Sequence, residues 1–100
     1  PNMFGNGLSS SPSNSTYILP GSGFWFSHLD NIRAQKKLLE HLEREQLALI
    51  YGWSMGAQQA YHWGALYRDR VSKIVALCGT ARTTDHNKIF LESLRSALMA

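Results

Sequence analysis

Two short apolar runs, separated by a run of small residues, define the centre of the chain. Residues 47–51 (LALIY) are apolar at successive positions, and residues 74–78 (IVALC) have the same character and are ended by Gly79. Continuous apolar runs of this length are typical of parallel strands covered on both faces. Between them, a segment from Ser54 to about Tyr67 predicts a helix that packs closely on the sheet. Strand, helix and strand then occupy about 30 residues, the length of a right-handed βαβ unit.

A helix is predicted on each side of this unit. The first runs from about residue 29 or 30 to residue 43, with Asp30 as N-cap because its carboxylate can accept hydrogen bonds from the first free amides. It is expected to cover one face of the sheet through an apolar stripe of Ile32, Leu38, Leu39 and Leu42. The last helix is predicted over residues 86–99, capped by Asp85. Its buried side is expected to comprise Phe90, Leu91, Leu94 and Leu98.

The first 28 residues have the composition of a loop. Glycine, serine, asparagine and proline dominate residues 5–15, and a second breaker stands at residues 20–23 (PGSG). No phosphate-binding glycine motif follows, so a surface or active-site loop is the better interpretation. The aromatic run Phe24-Trp25-Phe26 is expected to pack over the domain edge rather than bind a ligand. The chain as a whole therefore predicts an α/β fold.

The composition of the chain argues against nucleic acid and membranes as partners. The chain has 100 residues and a net charge of +3 with the two signs interleaved, so no basic tract predicts nucleic-acid binding. No apolar run approaches the ~20 residues of a membrane span, and no signal peptide opens the chain. The single cysteine, Cys78, lies in an apolar run and is expected to be a buried structural thiol. These features are compatible with a reducing, cytoplasmic setting.

The residues Gly52-Trp53-Ser54-Met55-Gly56 stand between the predicted strand and helix and have the form G-x-S-x-G. A nucleophile elbow has this order, with the serine in a strained turn between a strand and a helix. Small residues at positions 52 and 56 are expected to let the strand and helix approach where a Cβ would clash. Ser54 is therefore the predicted nucleophile, and Trp53 beside it is a candidate substrate contact.

A base for Ser54 is hard to find among the four histidines. His62 lies about 12 Å along the helix axis from Ser54, which excludes a hydrogen bond, and His28 and His41 are interpreted as surface residues. The loop after Gly79 follows the carboxyl end of a strand, where open α/β sheets bind ligands. This position leaves His86 open as a base, a pocket-lining residue or an ordinary helix-start residue.

Two further assignments complete the candidate site. Asp85 is poorly placed to orient the ring of His86, because successive residues in a helical turn point about 100° apart. Arg82 is either an exposed loop cation or a clamp for a substrate carboxylate. The histidine spacing and the single cysteine predict no metal site.

The elbow, followed by residues 58–63 (QQAYHW), resembles that of the α/β-hydrolase superfamily and, within it, of homoserine O-acetyltransferases and their relatives. Residues 30–39, which include Arg33-Ala34-Gln35, and the loop at residues 79–86 are similar to the same group. Residues 2–9 are similar to a loop that follows an earlier strand in these folds. The resemblance implies that Ser54 forms an acyl-enzyme and that the backbone N–H of Met55 belongs to the oxyanion hole.

The same resemblance implies that much of the catalytic apparatus lies outside these residues. In this superfamily the triad aspartate and histidine follow far downstream of the serine, and earlier strands and a second oxyanion donor are expected before residue 1. Residues 1–100 are thus expected to be the central part of a single α/β-hydrolase domain, incomplete at both ends. As an isolated polypeptide this piece is expected to have little activity and marginal stability.

The leading functional hypothesis is a homoserine O-acetyltransferase-like enzyme, and hence a part in methionine biosynthesis. Its expected partners are a small acyl donor and a hydroxyl acceptor, with acetyl-CoA as co-substrate, no bound cofactor, and a homodimer of the full-length protein. An ester or acyl hydrolase of the same fold is the first alternative, because fold and elbow do not discriminate between them. A non-catalytic binding protein of this fold is the second.

Overall fold

The computed structural model of the chain describes residues 2–11, 14 and 26–100. Its elements, in order, are α1 (His28–His41), β1 (Ile50–Trp53), α2 (Met55–Leu66), a 3-10 turn (Arg68–Arg70), β2 (Ile74–Leu77) and α3 (Asp85–Met99). This order confirms the predicted α/β class, with a covering helix followed by strand, elbow, helix, strand and helix. No helix in the described part of the chain is long and apolar enough to cross a bilayer.

The two strands are parallel neighbours joined by α2. Ile50 lies opposite Ile74, and the register continues to Trp53 opposite Leu77. An isolated parallel bridge joins Leu47 to Val71 ahead of the regular ladder. The first strand therefore begins at Ile50 rather than at residue 47, because two residues interrupt the ladder after the bridge.

The core of the unit is made by small residues of α2. Ala57 and Ala60 are fully buried, Trp63 is nearly so, and Ile32 of α1 is the one large side chain with no exposure among the described residues. Helix α2 packs on both strands, and α1 packs on α2. Helix α1 thus lies over the sheet by packing on α2 rather than on the strands, and its Leu38 and Leu39 line a cavity of about 540 Å³ together with Ile50 and Tyr51 of β1.

One face of the two-stranded sheet is uncovered. Gly52 is buried beneath α2, whereas Tyr51 and Trp53 on the opposite face are 63% and 67% exposed. Val75 and Leu77 of β2 are exposed on the same side as their strand partners. The predicted burial on both faces is therefore wrong for the described chain, because α2 is the element that packs on the strands.

Both predicted helix caps lie inside the first turn instead. Ser27 is the N-cap of α1, and its hydroxyl accepts from the Asp30 amide at 3.3 Å while its own N–H donates to Asp30 Oδ2 at 2.8 Å. This is a capping box, in which the third helical residue reaches back to the cap. At α3 the cap is Thr84, whose hydroxyl accepts from the Asn87 amide at 3.2 Å, so Asp85 is not the cap.

Helix α3 packs against no other element of the described chain. The side predicted to be buried is exposed at every position: Phe90, Leu91, Leu94 and Leu98. The prediction of a buried face is therefore wrong for these residues, although the apolar stripe itself is present.

The structure also tests the predictions for Cys78 and for the aromatic run at residues 24–26. Cys78 is exposed rather than buried, because it follows the end of β2 and turns away from the sheet with a φ of 53°. Of the aromatic run, Phe24 and Trp25 lie outside the described residues. Phe26 stacks on Phe4 with ring centroids 4.6 Å apart, so this ring packs on the N-terminal segment.

Candidate active site

Ser54 forms the turn between β1 and α2. Its backbone has φ 56° and ψ −116°, a region that residues with a Cβ rarely adopt. The Ser54 N–H donates to the carbonyl of Leu77, the last residue of β2, at 2.8 Å. This long-range hydrogen bond helps to hold the strained conformation and leaves the serine side chain exposed. The predicted strand–turn–helix geometry of an elbow is therefore present.

The two glycines of the motif have different roles. A Cβ at Gly52 would overlap the carbonyl of Gly56 and lie 2.8 Å from the Ala57 nitrogen, so a side chain there is excluded. A Cβ at Gly56 would meet nothing within 4 Å in the described chain. The expected close approach is thus confirmed at position 52 and wrong at position 56, where the backbone carbonyl rather than the missing side chain makes the contact.

The N-terminus of α2 points its free amides toward the serine. The Ser54 carbonyl receives the first helical hydrogen bonds, from Ala57 N at 3.0 Å and Gln58 N at 3.3 Å. The amides of Met55 and Gly56 precede these bonds and have no intrahelical acceptor. Free N–H groups at a helix N-terminus favour a developing negative charge. This geometry suits the oxyanion role predicted for Met55.

A cavity of about 460 Å³ opens beside Met55, and we call it the elbow cavity. Its other walls come from the N-terminal segment, from the start of α1 and from the residues just before that helix. The lining residues are Met3, Phe4, Gly5, Asn6, Phe26, Ser27, His28, Asn31 and Met55. Three amides of the segment already have acceptors, since Phe4 donates to Asn31 Oδ1, Gly5 to the Ser10 carbonyl and Asn6 to the Met3 carbonyl.

The other predicted contact residues do not line the elbow cavity. Trp53 is 67% exposed on the uncovered face of the sheet. Arg82 is exposed in the loop after β2, and His86 is exposed in the first turn of α3. Their substrate-binding roles stay predictions. From that loop, Thr80 and Thr83 instead line a smaller cavity of about 170 Å³.

The histidines form no catalytic pair with Ser54 in the described chain. His62 Nδ1 lies 2.8 Å from the Gln58 carbonyl on its own helix, and its ring centroid lies 5.9 Å from that of His28. His28 is half-buried rather than on the surface, whereas His41 is exposed. Among the described residues, no histidine or carboxylate is hydrogen-bonded to the Ser54 hydroxyl, and no three potential metal ligands gather at one point.

Two buried amide side chains near this site were not predicted as functional residues from the sequence. Asn31 and Gln59 are 8% and 7% exposed, and they are the buried polar side chains of the described chain. Asn31 precedes the fully buried Ile32, and Gln59 lies between Ala57 and Ala60 on the packed side of α2. A polar residue within such a buried pattern is a signal for a specific hydrogen-bond partner.

Comparison with known proteins identifies the family. A model of the alpha/beta hydrolase fold matches residues 1–98. The chain belongs to the alpha/beta hydrolase fold family. This confirms the superfamily predicted from the elbow and its flanking helices.

Relatives within the alpha/beta hydrolase family include both predicted kinds of enzyme. The chain is 46% identical over 99 residues to an ethyl acetate hydrolase of Pseudomonas veronii, covering 97% of this chain and 28% of that protein. It is 45% identical over 71 residues to a homoserine O-acetyltransferase of Zymomonas mobilis, covering 71% of this chain and 19% of that protein. The chain thus spans less than a third of the length of these relatives.

A solved alpha/beta hydrolase structure superposes on the described fold. It is a crystal structure of an acetylester hydrolase from Corynebacterium glutamicum, with a TM-score of 0.87 and 36% sequence identity. The match covers 95% of this chain and 28% of that one. The architecture of β1, α2 and β2 around the elbow is therefore shared with a hydrolase of known structure.

Proposed function

We propose that Ser54 is the nucleophile of an acetyl ester hydrolase, of which this chain is one part. One observation carries the proposal: the ethyl acetate hydrolase and a probable esterase of Corynebacterium glutamicum match 97% and 99% of the chain. The homoserine O-acetyltransferase of Zymomonas mobilis matches 71%. This ranking reverses the order of the two hypotheses that the resemblance of the elbow, its flanking helices and the loop at residues 79–86 favoured.

The proposed reaction has two steps. The Ser54 Oγ attacks the ester carbonyl carbon while its proton passes to a base outside the described residues. The tetrahedral intermediate then expels the alcohol, which takes up that proton, and acetyl-Ser54 remains. Water then attacks the same carbon, releasing acetate and restoring the serine. In both steps the N–H of Met55, free of a helical partner at the start of α2, donates to the carbonyl oxygen as it becomes negative.

An acetyltransferase is the second candidate. It is supported by 45% identity over 71 residues to a homoserine O-acetyltransferase. The acetyl-Ser54 intermediate would be the same, with acetyl-CoA as the donor and the homoserine hydroxyl in place of water. Arg82 would then pair with the carboxylate of the acceptor, and His86 and Trp53 would contribute contacts. If the protein is such an acetyltransferase, we expect a cytoplasmic homodimer that takes part in methionine biosynthesis.

The two candidates separate in one experiment on the full-length protein. Purified protein is given ethyl acetate alone, or acetyl-CoA with and without L-homoserine, beside a Ser54→Ala control. Acetate release from the ester without an acceptor is the expected result. Release of CoA that depends on homoserine and exceeds ester turnover would favour the transferase instead. Turnover that survives in Ser54→Ala would overturn both, since each requires the same nucleophile.

A further inference from the structure

The two buried polar side chains of the described chain reach one and the same segment. Asn31 on α1 and Gln59 on α2 contact Phe4 and Met3, respectively. We call residues 3–6 the wall segment, because all four line the elbow cavity together with Met55. Buried amide side chains from two different helices thus contact the same wall of this cavity.

Asn31 holds the backbone of the wall segment. Its Oδ1 accepts from the Phe4 N–H at 2.9 Å, and its Nδ2 donates to the Ser27 carbonyl at 3.2 Å. The second bond fixes the orientation of the amide, so that the oxygen rather than the nitrogen faces Phe4. The stacking of Phe26 on the Phe4 ring adds an apolar contact at the same residue.

Gln59 holds the side chain of Met3 through a chain of oriented amides. Trp63 Nε1 donates to Gln35 Oε1 at 2.9 Å, and Gln35 Nε2 donates to Gln59 Oε1 at 3.0 Å. This order leaves Gln59 Nε2 directed at the Met3 sulfur. A thioether is a weak acceptor, so the last contact of this chain adds little stability of its own, although Gln59 Oε1 also serves as the acceptor of Gln35 Nε2. The polar chain therefore specifies position more than it adds stability.

The wall segment is itself a tight turn, so two anchors at its start locate the whole of it. The Asn6 N–H donates to the Met3 carbonyl at 3.0 Å, and the Gly5 N–H donates to the Ser10 carbonyl at 2.9 Å. Gly5 has a φ of 81°, which permits this turn. A shift of Met3 or Phe4 would accordingly be passed on to the whole wall.

We propose that Asn31 and Gln59 are positioning residues that fix the wall segment beside Met55 and so set where an ester lies relative to Ser54. The inference rests on the proposed function, since it assigns the elbow cavity to the substrate. Gln59 does not line the elbow cavity, whereas Asn31 is one of its lining residues at the start of α1. Their effect is carried by Phe4 and Met3.

The test uses the full-length enzyme and ethyl acetate, with kcat and KM measured per folded protein. Asn31→Leu removes the acceptor for Phe4, and Gln59→Met keeps the length of the side chain but removes both the donor to Met3 and the acceptor of Gln35 Nε2. Each is expected to lower kcat/KM on the order of ten- to a hundredfold, the scale of a displaced contact near a reacting centre. Asn31→Asp still offers an acceptor to Phe4 but loses the donor to the Ser27 carbonyl, so it should restore part of the loss.

Two controls separate positioning from stability. Ile32→Val shortens the fully buried neighbour of Asn31, and it should lower the melting temperature while leaving kcat and KM of the folded enzyme unchanged. In a Met3→Leu background the effect of Gln59→Met on kcat/KM should become smaller, because the contact with Met3 is already gone and the bond from Gln35 is the one still removed.

The outcomes decide the proposal separately from the proposed function. If Ser54→Ala is inactive while Asn31→Leu and Gln59→Met keep the kinetic constants of the wild type, the positioning roles are wrong and the nucleophile stands. If the activity lost by Asn31→Leu and Gln59→Met is fully explained by a smaller amount of folded protein, as it is for Ile32→Val, the positioning roles are also wrong. Activity that persists in Ser54→Ala would instead overturn the proposed function.

Discussion

Gly79 lies directly against Ala57, with no room for a side chain between them. A Cβ at position 79 would overlap the Ala57 methyl and lie 2.9 Å from the Ser54 carbonyl oxygen. Ala57 is fully buried on α2 and cannot move aside. The loop that follows β2 therefore rests on the first turn of α2, immediately behind the nucleophile.

Gly79→Ala is expected to lower both stability and activity of the full-length enzyme. Overpacking of a tight contact costs about 1–3 kcal/mol, and here the strain falls on the Ser54 carbonyl. Ala57→Gly should partly rescue it by removing the methyl that clashes, although alone it costs about 1 kcal/mol as a glycine in a helix. Chemical denaturation and ester turnover measure the effect. Two losses that simply add would show that the two residues do not share this contact.

Ser54→Gly is expected to be more stable than Ser54→Ala, while both are inactive. Both variants lack the nucleophilic hydroxyl, but glycine accepts the positive φ of 56° and alanine keeps the strain. The expected difference is about 1 kcal/mol, because relief of strain is set against the greater freedom of glycine when unfolded. Denaturation midpoints of the two proteins provide the measurement. An alanine variant at least as stable as the glycine variant would mean that the strain at position 54 does not exceed the entropic cost of glycine.

Asp30 is expected to contribute stability that disappears in acid. Hydrogen bonds from the backbone N–H and then the hydroxyl of Ser27 hold the pKa of Asp30 below its usual value. A carboxylate with a lowered pKa stabilises the fold above its unfolded pKa of about 3.9, and this is lost as the pH falls through the lower folded pKa.

Melting temperatures across pH check this sign with two variants. Asp30→Asn should melt below the wild type at neutral pH, and the gap should close as the pH falls below about 4. Ser27→Ala removes the donor hydroxyl from the same capping box. In that background, Asp30→Asn should lower the melting temperature at neutral pH by less than it does in the wild type. A gap that widens in acid would contradict the assignment.

His86→Ala is expected to leave most of the activity intact. The ring is exposed on α3 and does not line the elbow cavity. Removal of a general base costs about 10²- to 10⁴-fold, so a much smaller change in kcat/KM, with the pH–rate profile unmoved, is the expected result. A loss of that larger size would identify His86 as the base. Arg82→Ala, in the exposed loop that leads into α3, serves as the surface control in the ester assay.

The sequence predicted the elbow because its signals are local. Gly52 and Ser54 lie within one strand–turn–helix segment, whose apolar run and small residues can be read without knowledge of distant contacts. The first cap was misplaced because Asp30 and Ser27 are both good cap residues, and the capping box uses them together. In that case the pattern was correct and the assignment of roles within it was not.

What the sequence could not predict depends on residues far apart in the chain. The contact of Gln59 with Met3 and that of Asn31 with Phe4 join helices to the N-terminal segment, and no periodic pattern encodes such pairs. The exposure of Leu94 on α3 and of Trp53 on β1 likewise depends on which elements pack there, not on the apolar stripe itself. Periodicity gives the face of an element, but not its neighbour.

The hydrogen bond from Ser54 N–H to the Leu77 carbonyl also sets an order of events during synthesis. A chain leaving the ribosome exposes the elbow residues before β2 has been made. Until Leu77 emerges and pairs with β1, that acceptor is missing and the strained turn lacks one of its restraints. The nucleophile is thus among the first residues of the unit to be translated and among the last to reach its working geometry.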